Sequence, residues 1–204
     1  MMLNNKEQPL SENLPLFPLG IMVMPGEVRF LHIFERRYKN LFEDIEQFEN
    51  CFCVPFVLDG KNSNTGALVR LEKVLAKYPG GEVDIAVKGV DIVTVKHYNE
   101  EHPSRLYPYG DIEILNKNSV ETSDELFKVF EKYNEIVLKL DLTKYSGINF
   151  YVIANSIGLS EFEKFDILLR QTQKQMNKTL VYYVKLKIIL AKQQNAIQKD
   201  YCLN

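Results

Sequence analysis

The chain contains no tryptophan and only three cysteines among its 204 residues. Cys51, Cys53 and Cys202 are too few for a disulfide framework, which favours a reducing compartment. The sequence also lacks any apolar run close to the roughly 18 residues of a membrane-spanning helix. Its polar start, residues 4–9, is unlike a secretion signal. We therefore expect a cytoplasmic protein that does not bind a membrane.

Sequence features for catalysis and for metal binding are missing as well. No glycine-rich phosphate loop of the form G-x-x-x-x-G-K-[ST] occurs, so nucleotide hydrolysis of that type is not expected. Cys51 and Cys53 would need two further ligands to hold a metal, and His32, His97 and His102 are scattered along the chain. We expect both cysteines to be small buried residues and His97 and His102 to lie in a solvated loop. No catalytic residue, metal or cofactor is expected.

The remaining composition is typical of a globular protein. Hydrophobic residues make up 46% of the chain and charged residues 25%, which is enough apolar material for a core. A net charge of −2 gives no overall attraction toward nucleic acid or acidic lipid. At this length, one large domain or two small ones are expected.

Hydrophobic periodicity divides the chain into a β-rich half and a helical half that meet near residue 116. Apolar side chains recur at helical spacing over 34–48, and polar turn residues fill a predicted loop at 59–66. Strands are predicted at 14–19, 28–31, 52–58, 67–76, 83–95 and 109–115. In the helical half, helices are predicted to begin at Ser123, at 148, at Ser160 with a capping box to Glu163, and at about 172.

One stretch is more specific than these patterns. Residues 14–42, LPLFPLGIMVMPGEVRFLHIFERRYKNLF, join a proline-limited apolar run, a Pro-Gly turn, a short alternating segment and a helix start. This succession closely resembles the opening of the Lon protease N-terminal domain, the part of that enzyme that engages substrate proteins. Residues 80–89, GGEVDIAVKG, resemble a later strand of the family, and residues 157–169 resemble its helical subdomain. The chain departs from the family after Gly89, where residues 90–92 replace the usual Arg and aromatic residue.

The resemblance implies an α+β fold, in which a PUA-like β pseudo-barrel with one helix is followed by a C-terminal helical bundle. We accordingly assign 1–12 to a disordered lead, 13–116 to the PUA-like β-rich subdomain and 117–204 to the helical subdomain. The two subdomains together are expected to form one Lon N-terminal-type domain.

The resemblance also implies a function. We expect the chain to bind unfolded or damaged protein segments, as an adaptor or regulator in protein quality control, with a protease acting in trans as a further partner. A complete Lon protease needs a phosphate loop and a Ser-Lys peptidase dyad; the first is missing, and 204 residues leave no room for the second. The chain is therefore expected to be non-enzymatic, and no pattern in it specifies an oligomeric state.

Four residues are candidates for protein binding. Met22 and Met24 would form an adaptable apolar patch, because methionine tolerates varied partners; ordinary core packing is the alternative interpretation. Tyr107 and Tyr109 flank a proline and would form a peptide-docking surface. The alternative for these two is a strand entry with amphipathic rings.

The last predicted helix carries a basic stripe. Residues 172–199 contain six lysines and no acidic residue. Four of these lysines recur every seven residues: Lys178, Lys185, Lys192 and Lys199. Because PUA-like folds include RNA binders, the stripe supports RNA binding as an alternative function. The other interpretation is a solvated face on a packed helix, since residues 180–191 are apolar nearly all round. We favour protein binding over nucleic-acid binding.

Overall fold

The computed structural model of the protein describes residues 12–100, 104–144 and 147–201. The chain divides into two compact units, the first ending at Asn118 and the second beginning at Ser119. The first unit contains these elements: β1 (Leu14–Pro15), β2 (Val28–Ile33), α1 (Arg36–Asp44), a 3-10 turn (Ile45–Phe48), β3 (Cys51–Leu58), β4 (Lys61–Lys77), β5 (Val83–Asn99) and β6 (Tyr109–Ile114).

The six strands form one antiparallel sheet, in which five follow the order β1-β6-β5-β4-β3 and β2 pairs with β5 beside this path. β5 is long enough to pair with two partners along one edge: β2 pairs with its first half and β6 with its second half. Bulges interrupt the register between β4 and β5 and so bend the sheet. Isolated bridges from Leu16 to Cys53 and from Leu19 to Phe56 link the segment after β1 to β3. The sheet is therefore curled into a half-barrel.

Successive residues of β3 supply two separate apolar clusters, because side chains along a strand alternate between its faces. Phe52 and Val54 join a cluster that includes Tyr38 of α1. Cys51 and Cys53 point the other way, into a cluster with residues of β1, β4, β5 and β6. The prediction that both cysteines are buried is confirmed.

Two predictions for the first unit are wrong. The predicted loop 59–66 is only a two-residue turn, because residues with positive φ close it and β4 begins directly afterwards. His97, predicted in a solvated loop, lies on β5 with its Nδ1 atom 3.0 Å from a carboxylate oxygen of Asp111. His102 lies outside the described residues, whereas the helix predicted at 34–48 is confirmed as α1 and the turn that continues it.

The second unit is helical over most of its described length. Its elements are α2 (Asp124–Tyr133), a π-helical turn (Asn134–Leu138), a 3-10 turn (Leu142–Lys144), α3 (Phe150–Ser156), α4 (Glu161–Leu168) and α5 (Gln173–Tyr201). Both predicted caps are confirmed. The Ser123 hydroxyl accepts a hydrogen bond from the Leu126 N–H, at 3.2 Å. The Ser160 hydroxyl accepts from the Glu163 N–H, and the Glu163 carboxylate accepts from the Ser160 N–H, at 2.7 Å.

One face of α5 packs against α2 and α4. Its buried side chains include Met176, Leu180, Val184 and Ile188. Asn177, also buried, fastens the segment before α2 to this helix, since its amide donates to the Glu121 carbonyl and accepts from the Ser123 N–H, both at 2.8 Å.

The opposite face of α5 is not packed within this unit. Tyr182 and Ile189 lie within the stretch 180–191, which is apolar nearly all round, and both are more than half exposed. Within the described ranges, no helix combines the length and the apolar character needed to span a bilayer.

Candidate functional site

β2 has apolar side chains on both of its faces. Leu31 and Ile33 face the core under α1. Val28 and Phe30 belong to the alternate set and are exposed, Phe30 to 73%. Most exposed faces of antiparallel sheets carry polar side chains. The outward face of β2 is therefore a candidate for contact with another molecule.

Two further aromatic residues extend this exposed face beyond the strand. The His32 ring is stacked on that of Phe34, with centroids 5.8 Å apart, and meets the edge of the Tyr78 ring at 5.9 Å. Phe34 is 61% exposed and Tyr78 is also exposed. We call Val28, Phe30, His32, Phe34 and Tyr78 the β2 face.

Asp84 holds the polar groups of the β2 face in place. It lies opposite His32 in the pairing of β2 with β5. The Tyr78 hydroxyl donates to one carboxylate oxygen at 2.6 Å, and the His32 Nδ1 atom lies 2.6 Å from the other. The hydrogen bonds from Tyr78 and His32 hold the pKa of Asp84 below its usual value, and the Asp84 partner raises the pKa of Tyr78.

The turn that carries Tyr78 is tied to α1. The Tyr78 N–H donates to the Glu82 carbonyl at 2.9 Å and closes the turn. Lys39 of α1 donates to the Gly80 carbonyl at 2.7 Å and pairs with the Glu82 carboxylate at 2.8 Å. The hydrogen bond from Lys39 lowers the pKa of Glu82. The aromatic rings therefore sit on backbone that is held before any partner arrives.

The segment entering β2 is fixed by a close backbone approach. The Gly26 N–H donates to the Gly89 carbonyl and the Gly89 N–H donates to the Glu27 carbonyl, both at 2.9 Å. A Cβ atom on Gly89 would lie 2.1 Å from the Met24 carbonyl oxygen. Only glycine permits this approach, so Gly89 determines where β2 begins.

Three of the four residues predicted to bind protein lie inside the first unit. Met22, Met24 and Tyr107 are fully buried, and Tyr109 is half-buried at the start of β6. The Tyr107 hydroxyl donates to the Asp44 carboxylate at 2.9 Å. Burial, and then this hydrogen bond, raise the pKa of Tyr107. The buried three offer no surface to a partner while the unit is folded, so their part in binding stays a prediction.

The residues of the β2 face were missed as a site. All but Tyr78 lie within or beside the stretch 28–34, VRFLHIF, where both alternating sets contain apolar side chains. Since only one set can face a single core, this double pattern is the sequence signal that could have found the exposed face.

The β2 face has no cluster of metal-ligating side chains beside it in the described part of the chain. Among residues 12–100, 104–144 and 147–201, no group of three or more His, Cys, Asp or Glu side chains could hold a metal ion. Burial raises the pKa of the Cys53 thiol and so disfavours the reactive thiolate. Cys202 lies outside the described residues.

Solved structures share this fold. A Lon N-terminal domain protein from Xanthomonas campestris has 24% sequence identity and a TM-score of 0.64, and the match covers 83% of this chain and 98% of that protein's chain. The N-terminal domain of a Mycobacterium avium complex Lon protease has 14% sequence identity and a TM-score of 0.59, and the match covers 85% of this chain and 98% of that domain's chain. The chain therefore has the mixed α/β fold of Lon N-terminal domains.

Family membership follows from the sequence itself. The chain belongs to the ATP-dependent protease La (LON) substrate-binding domain family, which it matches over residues 13–185. The resemblance first noted in residues 14–42 is thus confirmed across both units. No curated protein matches the chain significantly.

Proposed function

We propose that this protein is a non-catalytic module that binds unfolded or damaged protein segments at the β2 face. The observation that carries the proposal is an exposed row of apolar and aromatic side chains, led by Phe30, on backbone held by hydrogen bonds and an ion pair. Membership of a substrate-binding domain family supports a protein ligand. In this proposal the module acts as an adaptor or regulator in protein quality control, with a protease in trans as partner.

The geometry of the β2 face fits an extended segment. Side chains at alternate positions of a strand are about 6.8 Å apart, and an extended chain presents its own side chains at the same spacing. Because Phe30 is 73% exposed, covering it would contribute about 1–2 kcal/mol, or roughly 5–30-fold in affinity. The backbone of the face is already held, so little ordering cost offsets that gain.

The finer description of the fold is also part of the proposal. We assign the curled sheet to the PUA-like pseudo-barrel class and the second unit to the helical bundle class, the two together forming one Lon N-terminal-type domain. Met22, Met24, Tyr107 and Tyr109 stay candidates for protein binding, although the first three are buried in the sheet unit. The cysteine usage favours a cytoplasmic setting.

RNA binding through the sheet unit and the lysines of α5 is the alternative. Lys185 of the basic stripe pairs with Glu125 at 2.9 Å, and Lys187, which lies outside the stripe, pairs with Glu163 at 3.1 Å. Neutralised lysines add little to phosphate attraction. This observation ranks RNA second.

The test is the affinity for a fluorescently labelled, reduced and alkylated model protein that stays unfolded. We expect Phe30→Ser and Phe34→Ser each to weaken binding by about 5–30-fold without a loss of stability, since both side chains are exposed. Leu106→Ser is the matched control, because Leu106 is 53% exposed in the same unit but does not belong to the β2 face. Equal affinities for the three variants and the wild type would refute the site.

Single-stranded RNA in the same assay separates the two functions. RNA binding that weakens steeply with salt, together with no binding of the unfolded protein, would replace the proposal with the alternative.

A further inference from the structure

α5 extends beyond its packed part. Ile188 is the last buried residue among its described side chains, and every side chain over 189–197 is exposed or half-exposed. Three of these are large and apolar: Ile189, Leu190 and Ile197. An isolated helical segment gains little stability from its own hydrogen bonds in water. An extension that carries exposed isoleucines is better explained by a partner that covers it.

Three apolar residues of α5, Tyr182, Leu186 and Ile189, form a seam that the polar Gln193 continues. Tyr182, Leu186, Ile189 and Gln193 follow one another at spacings of four, three and four residues, which places them on one line of the helix. Helical rotation puts this line opposite the buried Leu180 and Val184. Tyr182 is 61% exposed, Ile189 is 54% exposed and Leu186 is half-buried. The 4-3-4 spacing is that of a helix that packs against a second helix.

Lysines flank the seam on one side. Lys178, Lys185 and Lys192 are seven residues apart; Lys178 and Lys185 each precede a seam position by four residues, and Lys192 lies directly before Gln193. Lys185 contacts Glu125, whereas Lys178 and Lys192 take part in no ion pair within the described part of the chain. Lys199 continues the spacing, but its side chain lies outside those described. The flank is positive and contains no acidic residue of α5.

A groove continues the seam toward the start of α5. It has a volume of about 670 Å³, and its α5 side is formed by Lys178, Val181, Tyr182 and Lys185 among others. Glu121 and Glu125, from the segment before α2 and its first turn, lie on the other side. Since Lys185 neutralises Glu125, the groove keeps a positive balance next to its apolar floor.

We propose that this seam, with its groove, binds an amphipathic helix of a partner protein whose flanking positions are acidic. Acidic side chains on the partner would meet Lys178 and Lys192, while its apolar row covers Tyr182 and Ile189. Charge complementarity at flanking positions is what sets partner choice between paired helices.

Charge favours an acidic partner over a second copy of this chain as the occupant. Two antiparallel copies of α5 would set one row of lysines against another, and like charges facing each other repel. Two parallel copies would place the lysines against Leu190 and Ile197, where they find no carboxylate. The seam also belongs to the second unit, so this inference is independent of the β2 face.

The probe is a labelled synthetic helix with leucine along one face and glutamate at the flanking positions, compared with the same helix carrying lysine at those positions. Fluorescence anisotropy with the full chain at low salt should detect the acidic helix alone. The double variant Lys178→Glu/Lys192→Glu should weaken binding at least tenfold, and added salt should reduce the wild-type affinity. Ile189→Ser should weaken binding about fivefold with little effect of salt, since it removes apolar contact.

Matched variants make the test decisive. Lys132→Glu makes the same substitution, on the exposed Lys132 of α2, away from the groove. Leu140→Ser removes an exposed leucine outside the seam. Wild-type affinity in both controls supports the proposal. Three results would overturn it. These are equal binding of the acidic and basic helices, an equal loss of affinity in the seam and control variants, and self-association of the chain that Ile189→Ser abolishes. Phe30→Ser should leave this binding unchanged, which separates it from the β2 face.

Discussion

Replacing Gly89 with alanine should release the segment that leads into β2. The added methyl group would lie 2.1 Å from the Met24 carbonyl oxygen and 2.8 Å from its carbonyl carbon. Both contacts are with backbone, so no side-chain rotation relieves them. The chain entering β2 must move away from β5, and the two backbone hydrogen bonds that Gly89 makes with Gly26 and Glu27 are lost or lengthened.

The expected cost follows from these contacts. Overpacking against a fixed neighbour costs about 1–3 kcal/mol, and two weakened backbone hydrogen bonds add about 1 kcal/mol each. Alanine also lowers the conformational entropy of the unfolded chain, which offsets about 0.4–1 kcal/mol of this cost. The free energy of unfolding of the first unit should therefore fall by about 2–4 kcal/mol.

Urea denaturation followed by circular dichroism measures the loss, and hydrogen exchange of residues 24–33 locates it. Gly20→Ala is the control, because an added Cβ there meets only the Val57 carbonyl at 3.9 Å. It should change stability by no more than about 0.5 kcal/mol. A Gly89→Ala variant as stable as Gly20→Ala, with unchanged exchange, would show that the close approach does not fix β2.

Two further predictions concern hydrogen bonds seen in the structure. Ser160→Ala should lower the melting temperature of the second unit by roughly 4–8 °C, since losing a helix cap costs about 1 kcal/mol, while Ser160→Asp should retain it. Because the hydrogen bonds from Tyr78 and His32 lower the pKa of Asp84, its contribution to stability is present above the ordinary carboxyl pKa and is lost as pH falls through the lowered value. Asp84→Asn should therefore show a shallower decline of stability below about pH 4, and a decline as steep as wild type would contradict this.

Local patterns predicted those parts of the fold that depend on neighbours in sequence. The capping box at Ser160 and Glu163 needs only residues three apart, so its pattern and its hydrogen bonds agree. The strand predicted at 83–95 agrees with the first part of β5. The stretch 14–42 identified the family because it combines several such signals in one order.

Contacts between distant residues could not be read in this way. Asp91 lies where the chain departs from its family, and it is buried. Its carboxylate accepts hydrogen bonds from the N–H groups of Ile92 and Lys117, at 2.7 and 2.8 Å, and Lys117 is 26 residues away. No spacing pattern in the sequence predicts the hydrogen bond between Asp91 and Lys117, which attaches the end of the first unit to β5.

Both proposed surfaces were missed for a single physical reason. Periodicity shows which side chains share a face of a strand or helix. It does not show how many of its apolar faces can pack against a core, so each apolar face is assigned to the core by default. In β2 both alternating sets contain large apolar residues, and in α5 the apolar residues surround the helix. β2 and α5 each pack on only one side within their units, so the apolar side chains on their other side are exposed. In sequences of this family, a strand or helix with apolar side chains on more than one face is therefore the place to look for a partner-binding surface.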